Sequence, residues 1–378
     1  MKIVRVDCDY LVASLPVPVR GTFRDYGVLL LTLTTDNGLT GIGFARSYDF
    51  HGATVRHVIL SEIAPRFLAQ DHFVIPGEMW HEAAFEMPFT DYRRPVGVIN
   101  SAMGAVDQAL WDLWGQQLGE PVYRLLGGSQ REIEVYVTFG LNIYTPEEEV
   151  EAARRVMAQG FTAFKLQGVD DRGGGLPAAI ARVEKLRETV GDQARIILDA
   201  HGNYSVYEAG VLARALIPAN VAYIDEPLRS RDPLALRRLR ESCPQVAYAA
   251  RSRSGSYDDN RDLVIGGGLD IMGSNVMDQG GYTQTIKVAH LAEAYQMPLV
   301  TGGAFHLQNA HLIAAATNGW MSEYHIFAAA LSEMIFTGPV RPHNGRLRMS
   351  EAPGLGLRLD LAAVTEAKSR AKHLEENA

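Results

Sequence analysis

Cysteine is nearly absent from this chain: Cys8 and Cys243 are the only two in 378 residues. Two such thiols make neither a metal-ligand cluster nor a disulfide framework, and a reducing cytosol is the natural reading of that scarcity. Long apolar runs are missing too. No stretch reaches the roughly 18 apolar residues of a membrane span, and Met1-Lys2-Ile3-Val4-Arg5-Val6-Asp7 reads as a strand, not a charged leader. Positive charge is in deficit. A formal net charge of −8 speaks against nucleic acid as the main partner. Low-complexity linkers are lacking as well, so any two domains are expected to pack directly together. What is present, 47% apolar and 21% charged residues, suits a soluble globular protein. The length accommodates a barrel of about 250 residues and a second domain of about 100.

The clearest positive signal lies in the second half of the chain. Short apolar runs break abruptly into polar residues: Ile196-Ile197-Leu198 into Asp199-Ala200-His201, residues 221–224 into Asp225-Glu226-Pro227, residues 246–250 into Arg251. Two more end near Asn275 and at Gly302-Gly303. From Asp199 to Asp225, Arg251, Asn275 and Gly302 the spacings are 26, 26, 24 and 27 residues. That is the length of a strand, a helix and two short loops. A steady period of this kind predicts a (β/α) barrel whose strand ends converge on one mouth.

The first half reads differently. Residues 3–12, 27–35 and 39–44 alternate as strands, and Asp36-Asn37-Gly38 is a hairpin turn that tolerates positive φ. The loop 16–26 carries Arg20, Phe23 and Arg24, side chains suited to covering an anionic ligand, or else a plain solvated loop. A 3.6-residue apolar stripe predicts a helix over 100–118, stopped by Gly119-Glu120-Pro121. Thr145-Pro146-Glu147-Glu148 is a helix start with its capping box. The boundaries implied are a capping domain over 1–128, a barrel over 129–335 and a returning segment over 336–378.

In order along nearly the whole chain stand Ser101-Ala102-Met103-Gly104-Ala105-Val106-Asp107-Gln108-Ala109-Leu110-Trp111-Asp112, Phe164-Lys165-Leu166-Gln167, Leu198-Asp199-Ala200-His201-Gly202, Ile224-Asp225-Glu226-Pro227, Gln279-Gly280-Gly281 and Pro353-Gly354-Leu355-Gly356. Together these motifs resemble the mandelate racemase and muconate lactonizing branch of the enolase superfamily. The resemblance implies a modified (β/α)7β TIM-type barrel under an α+β capping domain completed by the C-terminal tail. It also implies a homo-oligomer acting on a small carboxylate, with Mg2+ stabilising the enediolate formed when a base removes the proton α to that carboxylate; the cysteine scarcity adds a cytoplasmic location.

The same resemblance exposes departures. Asp199 and Asp225 match two metal-ligand positions, but the third falls on Arg251-Ser252, with Arg253 beside it. Serine is a poor Mg2+ ligand, and a guanidinium near Mg2+ costs several kcal/mol even at an effective dielectric of about 20. Three readings follow. An arginine held between Asp199 and Asp225 replaces the metal, a weakened two-acid Mg2+ site survives, or a slipped alignment supplies Glu226. In the Lys-x-Lys motif Lys165 is kept and Gln167 stands where relatives carry a base; on the opposite side Asn275 and Gly302-Gly303 hold no proton-transfer group. Lys165 then reads as charge for the substrate carboxylate, with a role as base the alternative. His201 resembles the general acid of acid-sugar dehydratases, or is a hydrogen-bonded histidine at the mouth. Glu323 resembles the last-strand glutamate that contacts the substrate, and His306 reaches the site if its loop folds back. His311 fits a helix interior, and nothing selects Tyr204 or Tyr257. Catalytic candidates are therefore Lys165, His201, Arg251, Arg253 and Glu323; substrate-binding candidates are Arg20, Phe23, Arg24, Gln167, Asn275 and His306, with capping loops at 16–26 and His51-Gly52 setting specificity. Dehydration of a small hydroxy acid or acid sugar is the leading reading, ahead of racemisation or cycloisomerisation. A non-catalytic carboxylate-binding relative is the alternative of another class.

Overall fold

Apolar alternation in the first 45 residues builds a three-stranded antiparallel sheet of β1 (Ile3–Pro16), β2 (Phe23–Thr35) and β3 (Thr40–Ala45). The computed structural model describes residues 1–46, 52–86, 95–141, 143–168, 174–303, 305–338 and 341–376; the expected capping residue His51 lies outside them. β1 and β2 run longer than their apolar cores, because backbone pairing persists through Ser14↔Asp25 to Pro16↔Phe23. The expected loop 16–26 thus shrinks to residues 17–22. Ladder hydrogen bonds do not require apolar side chains, so the polar ends of a hairpin are easily misread as loop.

The predicted helix forms as Gly97–Leu118, nearly all of it buried. Its polar residues bind backbone on both sides. Asp112 accepts from the N–H of Ile42 at 3.0 Å and of Leu355 at 2.8 Å, while Gln108 donates to the carbonyl of Phe44 at 3.0 Å. β3 lies so close that a Cβ on Gly43 would stand 1.9 Å from the carbonyl oxygen of Ala105, so only glycine fits there. This helix joins the antiparallel sheet to the rest of the molecule.

Eight parallel strands follow: β4 (Glu132–Gly140), β5 (Ala163–Gln167), β6 (Arg195–Asp199), β7 (Tyr223–Asp225), β8 (Tyr248–Ala250), β9 (Ile271–Ser274), β10 (Leu299–Thr301) and β11 (Gly319–His325). Each pairs with the next, and β11 pairs with β4 to close the barrel. Helices alternate with them. Helix Pro146–Ala158 starts at the Thr145 capping box that the sequence announces. β12 (Arg346–Arg348) adds to β4 in the antiparallel sense, and helix Leu361–Glu376 returns to the first sheet, where Lys368 meets Asp9 at 2.5 Å and Arg370 meets Asp25 at 2.7 Å. Cys8 and Cys243 are both free and buried. Among the described residues no helix is long and apolar enough to cross a membrane.

One apolar layer fills the barrel interior. It takes one residue from each strand: Tyr136, Ala163, Ile197, Tyr223, Ala249, Ile271, Val300 and Met321. Side chains on a strand return to the same face every second residue. Two residues further toward the strand ends, the next inward positions are therefore Thr138, Lys165, Asp199, Asp225, Arg251, Gly273, Gly302 and Glu323. The barrel's own geometry collects these groups above the apolar layer.

Candidate active site

Above that layer lies a cavity of about 400 Å³ lined by Thr138, Lys165, Gln167, Asp199, His201, Glu226, Arg251, Ser252, Arg253, Glu323 and His325 from the barrel. Tyr26, Gly27, Val28 and Arg46 close it from the antiparallel sheet. Two positions in the lower ring are glycines. A Cβ on Gly302 would stand 3.3 Å from Tyr136 Oη, 3.5 Å from Arg251 Nη1 and 3.6 Å from Glu323 Oε2. The missing side chain leaves Tyr136 Oη, Arg251 and Glu323 as the groups nearest this point of the floor.

Lys165 is the electrostatic centre. Its ammonium donates to Asp225 Oδ2 at 2.6 Å, meets Asp199 Oδ2 at 2.9 Å and approaches Glu323 Oε1 at 3.9 Å. Its side chain is only 2% exposed. Burial alone would strip the proton, yet Asp199 and Asp225 hold the group well above the ordinary lysine range. It is a fixed cation, not a base. The arginine expected between the two aspartates is thus elsewhere, because Lys165 already fills that place from β5.

Arg251 meets Glu226 Oε1 at 3.3 Å instead. Arg231 and Arg253 donate to Glu226 Oε2 at 2.7 and 2.8 Å. Although burial opposes ionisation, Arg251, Arg231 and Arg253 hold the Glu226 carboxyl well below the usual carboxylate range. Three cations around one anion leave this side of the cavity positive. Glu323 sits opposite, accepting from Thr138 Oγ1 at 2.5 Å and from the N–H of Gly303. Burial raises it, but the Lys165 ammonium and these two donors hold it below the usual carboxylate range, so it is an ionised acceptor.

His201 stands at the end of β6 with a left-handed backbone, φ 51°, a costly conformation for a non-glycine residue that clusters at functional sites. Its N–H donates to Asp199 Oδ1 at 3.0 Å, and its Nε2 lies 3.4 Å from Asp199 Oδ2. Of the remaining candidates, Gln167 and Arg253 line the cavity. Asn275 is buried beside it and donates to the Gly303 carbonyl at 2.9 Å. Four others do not line the cavity. Arg20 is held by Glu148 at 2.8 Å, Phe23 is exposed, and Arg24 lies 5.9 Å over the Phe327 ring. His306 packs edge-on to Tyr324 at 4.8 Å, because it opens helix His306–Ala315 and is carried into the wall between the barrel and that helix. Tyr26, Arg46 and His325 were not picked out from the sequence. His325 carries a legible signal, since it lies two residues beyond Glu323 on one strand.

A divalent cation does not fit this donor set. Its two matching carboxylates are bonded to the Lys165 ammonium, Arg251 stands at the third strand end, and Glu226 is surrounded by arginines. Ser252 is turned toward Ser254 at 2.8 Å and the N–H of Gly255 at 3.1 Å. Among the described residues no group of three or more His, Cys, Asp or Glu side chains is placed to hold a metal.

Two family models match. The one described as mandelate racemase / muconate lactonizing enzyme, N-terminal domain, covers residues 7–127, and enolase C-terminal domain-like covers 148–363. The chain is 30% identical over 357 residues to 3,6-anhydro-alpha-L-galactonate cycloisomerase of Streptomyces coelicolor, covering 92% of this chain and 94% of that one. It is 28% identical over 353 residues to arabinonate dehydratase of Saccharolobus solfataricus, covering 91% of each. Among solved structures, a racemase from Streptomyces coelicolor with bound magnesium superposes with a TM-score of 0.84 at 27% identity, over 97% of this chain and 99% of that one. The 3,6-anhydro-D-galactonate cycloisomerase of Zobellia galactanivorans gives 0.85 at 26%, with the same coverage.

Proposed function

Because the chain belongs to the mandelate racemase and muconate lactonizing family of the enolase superfamily, we propose that it dehydrates a small hydroxy acid of the acid-sugar class on fixed protein cations. It is an enzyme of the lyase and isomerase kinds to which its relatives belong. The observation that carries the reading is the ring of inward side chains that sets Lys165 and Arg251 beneath His201 in one cavity.

The substrate carboxylate rests on Arg251, whose planar fork suits a carboxylate, with the Lys165 ammonium below. His201 takes the proton from the α-carbon. The electron pair of the broken C–H bond moves into the carboxylate, where the two cations wait for the second negative charge. The enediolate then collapses: the double bond forms to the β-carbon, the β-hydroxyl leaves with the proton that His201 returns, and water departs. The resulting enol becomes a 2-keto acid. One imidazole thus serves both proton steps on one face. A ring-opening elimination of an anhydro acid follows the same course with an ether oxygen leaving, which is the reading that the 30% identical cycloisomerase supports.

The test uses chelator-treated protein in D2O with D-galactonate, arabinonate and 3,6-anhydro-alpha-L-galactonate. The expected result is 2-keto acid formation, or deuterium at Cα, from at least one of them, undiminished by EDTA and abolished in His201→Asn. Turnover that appears only when Mg2+ is restored sinks the metal-free reading. Tight acid binding with neither exchange nor product sinks the enzymatic one.

A further inference from the structure

We infer that His325 is a neutral imidazole whose Nε2–H donates to the oxyanion formed in the reaction, so that it is a catalytic residue of this site. The inference rests on the dehydration reading for its role, and on the hydrogen bonding of the ring itself for its protonation state.

His325 is the N-cap of helix Ile326–Ile335, and its side chain accepts the N–H of Phe327 through Nδ1 at 3.3 Å. A ring nitrogen that accepts a backbone N–H carries no hydrogen of its own. In the neutral ring the hydrogen is then on Nε2. The helix end enforces this choice. The first amides of a helix carry partial positive charge and are short of acceptors, so a second proton on the ring would place N–H against N–H. The principle is the one by which a helix N-terminus keeps a catalytic imidazole neutral and electrophilic in triosephosphate isomerase.

The other edge of the ring belongs to the cavity. His325 lines it, and its Nε2 has no protein partner among the described residues. The rings of Tyr26 and Phe327 flank His325 at 6.3 and 6.1 Å and hold its plane. Glu323 on its own strand, Lys165 on β5, Arg46 past β3 and Arg24 on β2 are the charged groups that face it. Burial, aided by the three cations and opposed by Glu323, lowers it from the ordinary histidine range. His201 and His325 hang over the Lys165 layer from strands three apart round the mouth, β6 and β11, with β4 and β5 between them. A substrate lying on Lys165 has a proton-transfer imidazole at one side and a hydrogen-bond donor at the other. That asymmetry suits elimination and opposes racemisation, which needs an acceptor on both faces.

The test separates the ring's state from the enzyme's reaction. Full-length protein with 15N-labelled histidine is titrated from pH 5 to 8, the His325 ring being assigned by its loss in His325→Gln. The ring is expected to be neutral with its hydrogen on Nε2 at pH 7 and above, and to take its second proton below the ordinary histidine range; a ring protonated at or above that range, or hydrogen on Nδ1, overturns the proposal. Oxalate, a planar dianion of the enediolate's shape, is then titrated by calorimetry. His325→Asn keeps the helix cap, because its short amide oxygen accepts the same N–H, but its amide does not reach the cavity. It is expected to weaken oxalate more than about tenfold, while His325→Gln, which can cap and donate, stays within about threefold. Oxalate bound by His325→Asn as by wild type overturns the proposal even if no acid sugar turns over. Where one does, His325→Asn lowers kcat by about 10² to 10³ with a smaller change in KM, as loss of one oxyanion donor does; an unchanged kcat counts against it.

Discussion

At the scale of single residues, the decisive quantity is how Lys165 is paid for in a place only 2% exposed. Two carboxylates at 2.6 and 2.9 Å supply the field that burial removes. Removing one partner of such a buried set leaves uncompensated charge and costs about 3 to 5 kcal/mol. Lys165→Met keeps the stem and deletes the charge, so urea denaturation at pH 8 should show a loss of that size. Asp225 then stands beside Asp199 without a cation, and burial together with that neighbour pushes its carboxyl up. An acid raised in the folded state stabilises below its unfolded value and loses that contribution as pH rises. The penalty of Lys165→Met should therefore shrink toward pH 4, and Lys165→Met/Asp225→Asn should recover most of it at pH 8. A pH-independent penalty would mean that packing, not charge, is what Lys165 provides. Gly302 offers a complementary test of the floor. Its backbone is not left-handed, and an added Cβ would stand in ordinary contact 3.5 Å from Arg251 Nη1, so Gly302→Ala should fold and bind oxalate within about twofold of wild type, whereas the larger Gly302→Val should weaken it by calorimetry.

At the scale of elements, the strands were legible because a buried parallel strand is a continuous apolar run with a sharp polar end. Asp199, Asp225 and Arg251 announce their strands in this way. The period of two then carries further than the sequence reading took it: stepping from Met321 to Glu323 to His325 passes from the apolar layer to the ring to the rim. What periodicity could not give is which cation fills the gap between Asp199 and Asp225. That depends on how strands β5, β6 and β7 sit side by side, with Gln167↔Asp199↔Asp225 in register, and Lys165 reaches up from one layer of its own strand. The short loop 17–22 was hidden for a different reason, since its flanks are paired by backbone alone. Helix His306–Ala315 holds a prediction of its own. Its His311 accepts the N–H of Tyr123 on Nδ1 at 3.2 Å, and its Nε2 lies 3.2 Å from the carbonyl of Leu355. Burial pushes this imidazole down to about 4, against the pull of the Leu355 carbonyl. A histidine lowered in the folded state stabilises above its unfolded value and loses that contribution as pH falls through the window from 6.5 to about 4. Denaturation of wild type against His311→Leu should show a gap of about 2 to 4 kcal/mol at pH 7 from two lost hydrogen bonds and the packing around them. The gap should narrow by up to about 3 kcal/mol on going to pH 4; a constant gap would show that the ring does not stay neutral by burial.

At the scale of the whole molecule, the cavity is a joint product of the two halves. The barrel supplies every charge of its floor, but the wall of Tyr26, Gly27, Val28 and Arg46 comes from the antiparallel sheet. Arg46 is the tie. It meets Asp278 at 3.2 Å and donates to the Gly303 carbonyl at 3.1 Å, the same carbonyl that Asn275 holds at 2.9 Å. Gly303 in turn donates its N–H to Glu323, so the first sheet reaches the floor of the site through one short loop after β10. The ion pair is itself worth little, because Arg46 is 41% exposed and such pairs contribute about 0 to 1 kcal/mol. Its effect on the site is expected to be larger than its effect on stability. Arg46→Met keeps the apolar stem and deletes the guanidinium with its contacts to Asp278 and Gly303, and should shift the denaturation midpoint by less than 1 kcal/mol in stability terms. The Gly303 carbonyl then keeps Asn275 but loses Arg46, the loop should relax from Glu323, and oxalate affinity should fall by about five- to tenfold, the range of a lost charge-assisted contact. Adding Asn275→Ala to Arg46→Met removes the second holder of that carbonyl. Because both act on one atom, the two losses in binding should exceed the sum of the single ones. Simple additivity would show that Arg46 acts on the ligand directly, as part of the wall, and not through the loop.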